Sequence, residues 1–345
     1  MTASGPPLIL TSLPDGDAMV AGTGEGPLID YVELVRAVGG HLSHPRLPGG
    51  LLGRLEAKTR PFGDWRQGWR ATRSDACGLL SLSEKAALAP ALLDRRRPHL
   101  AVAHNLTTPR RRQLQRATNW LERLHRIVVL CRTQEAYLRA EVGLPAERVR
   151  FIYDKVDHRF YSPSGAPPEG YVLSVGQTRR DYPTLLEAVR GMRVRTVIVA
   201  SSPWTGTDSR LHEIPTEVVV RSRLPYGELR NLYDRASVVV VPLEPGLDFA
   251  AGVNAVLEAM AMSRPLVVTS TPGIADYVED GVTGRLVPAG DATALREAIE
   301  ELLGDRQGAE RLGANGRAVV DEGRNLETYV AKLRTTFAEV APVAE

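Results

Sequence analysis

The stretch from Val238 to Asp280 constrains the fold of this chain more than any other part of the sequence. It begins with four consecutive valines and a proline, which predicts a fully buried parallel strand. Apolar residues then recur at helical spacing from Val253 to Met260, and residues 265–269 predict a second buried strand. A Pro-Gly turn after that strand predicts another short helix. This alternation of strands, loops and helices predicts an α/β domain built on a parallel sheet.

The two loops of this stretch lie where an α/β sheet binds its ligands, beyond the carboxyl ends of the strands. Each loop leads into a predicted helix, and the N–H groups and dipole of a helix N-terminus favour an anion such as a diphosphate. The alternative interpretation is a Rossmann-like strand–helix–strand unit with an exposed Glu258.

A motif within this stretch carries a resemblance to a known family. Residues 256–261 read VLEAMA and are followed by Pro265-Leu266-Val267, and residues 279–284 read EDGVTG. The chain resembles the retaining nucleotide-sugar glycosyltransferases of GT-B fold, family 4, or "glycosyl transferases group 1". The similarity runs from about residue 100 to residue 340 and is strong after residue 171. One position departs from the family pattern, because its first glutamate falls at Ala250.

The resemblance implies an α/β GT-B fold with two Rossmann-like domains facing across a cleft. Residues 1–165 would form the N-terminal domain on the acceptor side, and residues 166–325 the C-terminal domain that holds the nucleotide-sugar donor. Residues 326–345 would form a C-terminal helix that crosses back to the N-terminal domain. A Pro- and Gly-rich segment, residues 162–170, reads as the linker.

The resemblance also implies a set of donor-binding residues. Glu258 would bind the ribose, because a carboxylate accepts hydrogen bonds from two neighbouring hydroxyls. Arg179 or Arg180 would bind the diphosphate, since a guanidinium can fork onto phosphate oxygens; the alternative is a solvated arginine pair. The full expected set is Gly176, Arg179, Arg180, Leu224, Gly252, Val253, Asn254 and Glu258.

Arg180 is one candidate catalytic residue. A second candidate lies in the N-terminal half. A predicted strand over residues 100–103 delivers His104 at its carboxyl end. Many family members place a histidine after a comparable strand, and its imidazole could bond a sugar hydroxyl or the acceptor hydroxyl. The alternative is a structural histidine.

The implied activity is transfer of a sugar from a nucleoside-diphosphate sugar to an acceptor hydroxyl with retention of configuration. No Asp-x-Asp motif accompanies the donor residues, so we expect no metal and no cofactor, with a UDP-sugar favoured as co-substrate. The acceptor would be a small molecule or natural product, or a cell-envelope glycan precursor. Two alternatives share the architecture: a GT-B-like nucleotide-sugar epimerase, and a non-catalytic nucleotide-sugar binding protein, which Ala250 permits.

Charge is spread unevenly along the chain. The net charge is +2, but residues 42–126 hold seventeen Lys and Arg against six Asp and Glu, a balance of +11. Trp65 and Trp69 lie four residues apart among arginines, which indicates an anionic membrane surface, an acceptor site, or a helix that packs its tryptophans inward. We expect no nucleic-acid partner, because no helix-turn-helix or zinc pattern is present.

The sequence shows no signal-peptide pattern and no apolar run long enough to span a bilayer. Cys77 and Cys131 match no metal or redox spacing and read as reduced thiols. These features predict a cytoplasmic protein, with peripheral contact at the inner membrane face as an option.

Overall fold

The computed structural model describes residues 5–12, 26–45, 64–200, 214–222 and 224–342. The chain divides between Ile152 and Tyr153 into two compact units, and residues from Glu327 onward group with the first unit. The division precedes the predicted boundary at residues 165 and 166, because the intervening segment packs with the second unit. The Tyr161 ring stands perpendicular to Tyr233 at a centroid distance of 6.1 Å, and the Ser164 backbone N–H donates to Asp234 Oδ1 at 3.0 Å.

The first unit contains a six-stranded parallel sheet in the order β2-β1-β3-β4-β5-β6. Its strands are β1 Leu8–Leu10, β2 His41–Ser43, β3 Leu79–Ser81, β4 His99–Ala103, β5 Arg126–Val129 and β6 Val149–Phe151. Its helices are α1 Asp30–Val38, α2 Trp65–Thr72, α3 Glu84–Leu93, α4 Pro109–Thr118 and α5 Arg132–Ala136, which continues as a π-helix over Tyr137–Glu141. Short 3₁₀ turns span Leu121–Arg123 and Ala146–Arg148. Every residue of β4 is buried, as its apolar run predicts.

The second unit contains another six-stranded parallel sheet, in the order β12-β11-β10-β7-β8-β9. Its strands are β7 Tyr171–Val175, β8 Arg195–Val199, β9 Val218–Arg221, β10 Val238–Val241, β11 Leu266–Thr269 and β12 Arg285–Val287. Its helices are α6 Tyr182–Val189, α7 Tyr226–Arg235, α8 Val253–Ala261, α9 Ala292–Gly304 and α10 Arg306–Gly323, and α11 Leu326–Ala338 then leads into the first unit's residues. The four valines of β10 are completely buried at the centre of the sheet, which confirms the strand prediction.

One predicted element is wrong. The short helix expected after Pro272 is a series of turns over residues 272–277. The Ala275 N–H bonds Thr271 O in a helical pattern, but the Tyr277 N–H bonds Ile274 O three residues back, so the helix does not propagate. Gly273 packs directly on the Phe249 backbone, where a Cβ would lie 1.9 Å from the Phe249 carbonyl oxygen.

Within the part of the chain that the structure describes, no helix combines the length and the apolar character that crossing a membrane requires. Cys77 and Cys131 are both buried free thiols.

Candidate functional site

The loop after β7 is shaped by contact between a glycine and an arginine. Gly176 adopts φ +114°, which glycine reaches far more easily than any residue with a Cβ. A Cβ on Gly176 would also lie only 2.4 Å from Arg180 Nη2. Position 176 therefore requires glycine for two reasons, its backbone conformation and the guanidinium that covers it.

The Arg180 guanidinium is held in place by its own loop. Its Nε and Nη2 donate to the Val175 carbonyl at 3.1 and 3.0 Å, and Nη1 donates to the Thr178 carbonyl at 3.0 Å. Burial lowers the pKa of Arg180, while the facing hydroxyls and the Glu258 carboxylate partly offset that shift. The loop thus fixes a cation at the carboxyl end of β7.

Arg179, its neighbour, has a different environment. It adopts a left-handed φ of +58°, and its Nη1 pairs with Glu244 Oε2 at 2.8 Å. Its side chain is 52% exposed, so the pair lies largely in solvent and contributes little to stability. The two arginines that the sequence could not separate are therefore distinct, one exposed and neutralised and the other packed inside the loop.

The loop after β10 brings a second glycine against the same guanidinium. Gly252, at φ +83°, precedes the first residue of α8, and no side chain caps that N-terminus. A Cβ there would lie 2.9 Å from Val241 Cγ1 and 3.3 Å from Arg180 Nη1. Val253 is buried at the first helical position and Asn254 is exposed at the second. The start of α8 and Arg180 are consequently close neighbours.

Glu258 lies on α8, and its partly buried carboxylate belongs to a small polar cluster. The Tyr233 hydroxyl donates to Glu258 Oε2 at 2.8 Å. Burial raises the pKa of Glu258 to about 7, and Tyr233, Tyr161 and the nearby Arg180 act in the opposite direction. Burial and the negative carboxylate together raise the pKa of Tyr233, so this hydroxyl remains protonated and acts as a donor.

Sequence reasoning missed the tyrosines of this site. Tyr233 lies in the last turn of α7 and Tyr161 precedes β7, so neither is near Glu258 in sequence. Tyr182 donates a short hydrogen bond to the Gly176 carbonyl and thereby closes the first loop. The motif around Tyr233 predicted a turn and a helix, but it did not predict the contact between the Tyr233 hydroxyl and Glu258.

Leu224, the expected contact to the base, is half-buried before α7 and packs against the core of the second unit. Its neighbour Arg223, also considered from the sequence, lies outside the described residues. Ala250, where the family pattern places a glutamate, is partly buried and packs against the same core.

On the first unit, His104 follows β4 directly and is exposed. Its backbone N–H donates to Glu84 Oε2 at 3.0 Å, and Glu84 Oε1 pairs with Arg111 Nη1 at 2.7 Å. Its Nε2 lies 3.1 Å from the Leu82 carbonyl, and a carbonyl can only accept. Nε2 therefore carries the proton of the neutral ring, and Nδ1 is the basic nitrogen.

Trp65 and Trp69 point outward from α2, with 43% and 49% of their surface exposed. The opposite side of the helix is buried, and a Cβ on Gly68 would lie 2.4 Å from Ala89 Cβ of α3. The Arg73 guanidinium stacks over the Trp69 ring at 3.9 Å from its centroid. The interpretation in which the tryptophans pack inward is therefore wrong.

Comparison with known proteins shows what this chain is similar to. Residues 170–305 match the family model described as "Glycosyl transferases group 1". The chain is 29% identical over 267 residues to the alpha-maltose-1-phosphate synthase of Mycobacterium tuberculosis, covering 64% of this chain and 67% of that protein.

Solved structures show the fold. Sucrose-phosphate synthase from Thermosynechococcus elongatus has a TM-score of 0.76 and 20% identity, covering 97% of this chain and 99% of that one. Anabaena HepE in complex with UDP-glucose has a TM-score of 0.73 and 16% identity, with 97% and 100% covered. The chain has an α/β two-domain GT-B fold, and the family model and the relative support a group 1 glycosyltransferase.

Proposed function

We propose that this protein transfers a sugar from a nucleoside-diphosphate sugar to an acceptor hydroxyl with retention of configuration. The observation that carries the proposal is the partly buried Glu258 carboxylate near Arg180 and a start of α8 without a side-chain cap, all within the segment that matches the family model. One carboxylate acceptor, one fixed cation and one helix N-terminus suit a ribose and a diphosphate.

In this proposal Glu258 accepts hydrogen bonds from the ribose hydroxyls through the oxygen that Tyr233 leaves open. Arg180 and the Asn254 N–H group would face the diphosphate, next to Val253, whose own N–H bonds the Ala250 carbonyl at 3.4 Å. Gly176 and Gly252 let the backbone approach these groups, while Arg179 and Leu224 border the site at its exposed side. HepE, a structural neighbour, was solved with UDP-glucose, and this supports uridine as the base.

The proposed reaction breaks the bond between the anomeric carbon and the diphosphate oxygen and forms a bond to the acceptor oxygen on the same face. Negative charge grows on the departing diphosphate, so a cation and helix dipole already in place stabilise the transition state more than the ground state. The acceptor hydroxyl loses its proton either to the departing phosphate oxygen or to Nδ1 of His104. We propose that the donor residues act without a metal, since charge neutralisation is assigned to Arg180.

Ala250 bears on the donor sugar. Its methyl group packs against the core and cannot accept a hydrogen bond, so a sugar hydroxyl at this point would gain no side-chain partner. We propose a deoxygenated or otherwise modified sugar, for which the missing contact is less costly. Ala250→Glu should then lower transfer; increased transfer from an ordinary hexose donor would contradict this.

The acceptor is proposed to be a small molecule or a cell-envelope glycan precursor. The exposed Trp65 and Trp69, with Arg73 stacked on Trp69, suit contact with an anionic membrane surface. Sedimentation with anionic and neutral vesicles at low and high salt tests the proposed membrane contact separately from the reaction. Salt-sensitive binding to anionic vesicles that is lost in a Trp65→Ala, Trp69→Ala double variant supports it; absence of binding leaves a soluble acceptor.

The central experiment is mass-spectrometric screening of nucleotide sugars that bind the protein, followed by acceptor trials with the tightest donor. Product analysis by NMR should show an anomeric configuration equal to that of the donor, with activity unchanged by a chelator. Conversion of the donor without any acceptor would instead indicate an epimerase, and donor binding with no turnover a binding protein.

A further inference from the structure

The first unit contains a polar cavity at the edge of the sheet opposite to the one that carries His104. It encloses about 790 Å³ next to the first residues of β5 and the end of α4. Because the strands are parallel, this is the amino edge of the sheet, where neither proposed substrate is expected. Four arginines contribute to its wall: Arg95, Arg123, Arg126 and Arg148.

Two of these arginines are oriented by backbone carbonyls. Arg123 donates to the Leu92 and Thr118 carbonyls, each at 3.2 Å, and so caps the ends of α3 and α4. Arg148 donates to the Glu122 carbonyl at 2.7 Å. Carbonyls satisfy these N–H groups and fix the guanidinium planes, but they carry no net charge. Both side chains therefore remain uncompensated cations.

Acidic side chains neutralise only part of the positive charge of the four arginines. Arg126 pairs with Glu339 Oε2 at 3.0 Å, and Arg150 approaches the same oxygen at 3.6 Å, so one carboxylate serves two arginines. Glu122 also lines the cavity, and its negative charge would repel a bound anion. Arg95 is exposed at its rim. The four arginines thus outnumber the carboxylates that face them.

His125 adds a neutral donor to the wall. Its Nδ1 lies 3.2 Å from the His99 backbone N–H and must accept that hydrogen bond, so the proton of the neutral ring is on Nε2. Burial lowers the pKa of His125, and Arg148 and Arg126 lower it further. The low pKa keeps this imidazole neutral near pH 7, so it offers an N–H donor to the cavity and adds no charge.

We propose that this cavity binds a soluble anion carrying two or more phosphate groups. Guanidinium forks match phosphate oxygens in geometry, and the imidazole Nε2–H and the Asn119 amide add neutral donors. The volume of about 790 Å³ exceeds that of a single phosphate, and four arginines contribute to the lining. The site is independent of the sugar-transfer proposal, because it shares no residue with it.

Calorimetric titration of the full chain with tripolyphosphate tests the site. Arg95→Glu should weaken binding at least tenfold, because it reverses a charge on the cavity wall. Arg96→Glu is the matched control, since Arg96 is the exposed neighbour that does not line the cavity, and it should change affinity by less than threefold. Equal effects of the two variants, or no effect of either, would overturn the proposal.

Two further arms sharpen the result. Asn119 adopts a left-handed φ of +48°, so Asn119→Gly keeps the backbone and removes only the amide; it should weaken binding about threefold with unchanged thermal stability. Vesicles containing phosphatidylglycerol distinguish a lipid headgroup from a free anion. Vesicle binding that Arg95→Glu abolishes, with no tripolyphosphate binding, would overturn the assignment to a soluble ligand.

Discussion

The loops of the second unit and the loop after β4 in the first unit occupy equivalent places in their sheets but differ in how firmly their residues are held. In the second unit, Gly176 and Gly252 each pack against Arg180, and Glu258 is partly buried with a tyrosine partner. In the first unit, His104 is exposed, and its ring makes one hydrogen bond, to a backbone carbonyl. The proposed donor side is therefore preorganised by packing, whereas His104 is positioned mainly by its backbone.

This difference predicts how each side responds to mutation. A buried group that contacts several others affects ligand binding and local structure together, because its neighbours lose their partners. An exposed side chain affects only the step in which it takes part. The predictions below test this contrast, from the largest expected effect to the smallest.

Arg180→Ala should reduce kcat/KM about 10³-fold, a loss of roughly 4 kcal/mol of transition-state stabilisation, because the departing diphosphate loses its fixed cation. Arg179→Ala is the control and should change kcat/KM by less than threefold, since that side chain is half exposed and paired with Glu244. Similar losses in both variants would show that the loop acts through its general charge. Circular dichroism checks that the variant keeps its fold after the Val175 and Thr178 carbonyls lose their donor.

His104→Ala should lower kcat about 10²-fold, a typical contribution of general base catalysis, and leave donor affinity unchanged. The exposed ring has little packing to lose, so the melting temperature should stay close to that of the wild type. His104→Gln, which keeps a polar group without a base, should behave like the alanine variant. Full activity in either variant would show that His104 takes no part in catalysis and would favour a structural role.

Glu258→Gln should weaken donor binding about 10- to 100-fold, because a charged hydrogen bond contributes roughly 1.5–3 kcal/mol. The matched control is Glu244→Gln, which changes a carboxylate 41% exposed in the neighbouring loop. Donor affinity by calorimetry should be nearly unchanged in the control. Unchanged affinity in both variants, with the fold intact, would remove Glu258 from the site.

Tyr233→Phe should weaken donor binding about 3- to 10-fold, because the Glu258 carboxylate loses the donor that orients it, a change of roughly 0.5–1.5 kcal/mol. Tyr171→Phe is the control, since Tyr171 donates to the Leu232 carbonyl at 2.6 Å instead of to the carboxylate. Losing the Tyr233 hydrogen bond should also raise the pKa of Glu258 further, so the acid loss of donor affinity should move to higher pH.

The last prediction concerns stability without ligand instead of donor binding, through its dependence on pH. Burial raises the folded pKa of Glu258 from 4.5 to about 7, so between these values the folded state binds more protons than the unfolded state. The contribution of this carboxyl is complete below about pH 4.5 and is lost as the pH rises through about 7. Urea unfolding at pH 5 and pH 8 should show this loss in the wild type, but not in Glu258→Gln. The same change in the free energy of unfolding between pH 5 and pH 8 in both proteins would contradict this prediction.

Much of the donor side could be predicted from the sequence. The valines of β10 and the helical spacing before Met260 determine their elements locally, because a run of β-branched residues and an apolar stripe suit few other structures. Motif similarity then indicated Glu258 and the glycines. It could not separate Arg179 from Arg180, because adjacent residues of one type differ only in where the backbone directs them.

The sequence by itself determined the α/β class, the strand–helix–strand order from Val238 to Thr269, and the position of Glu258 on a helix after a buried strand. Only the tertiary structure decided that Tyr233 meets Glu258, that Arg180 lies between Gly176 and Gly252, and that Trp65 and Trp69 face outward. Local elements follow from neighbours along the chain, whereas these contacts join residues far apart in sequence. Such contacts exist only after the sheets and helices pack, because packing alone sets which distant groups share a buried space.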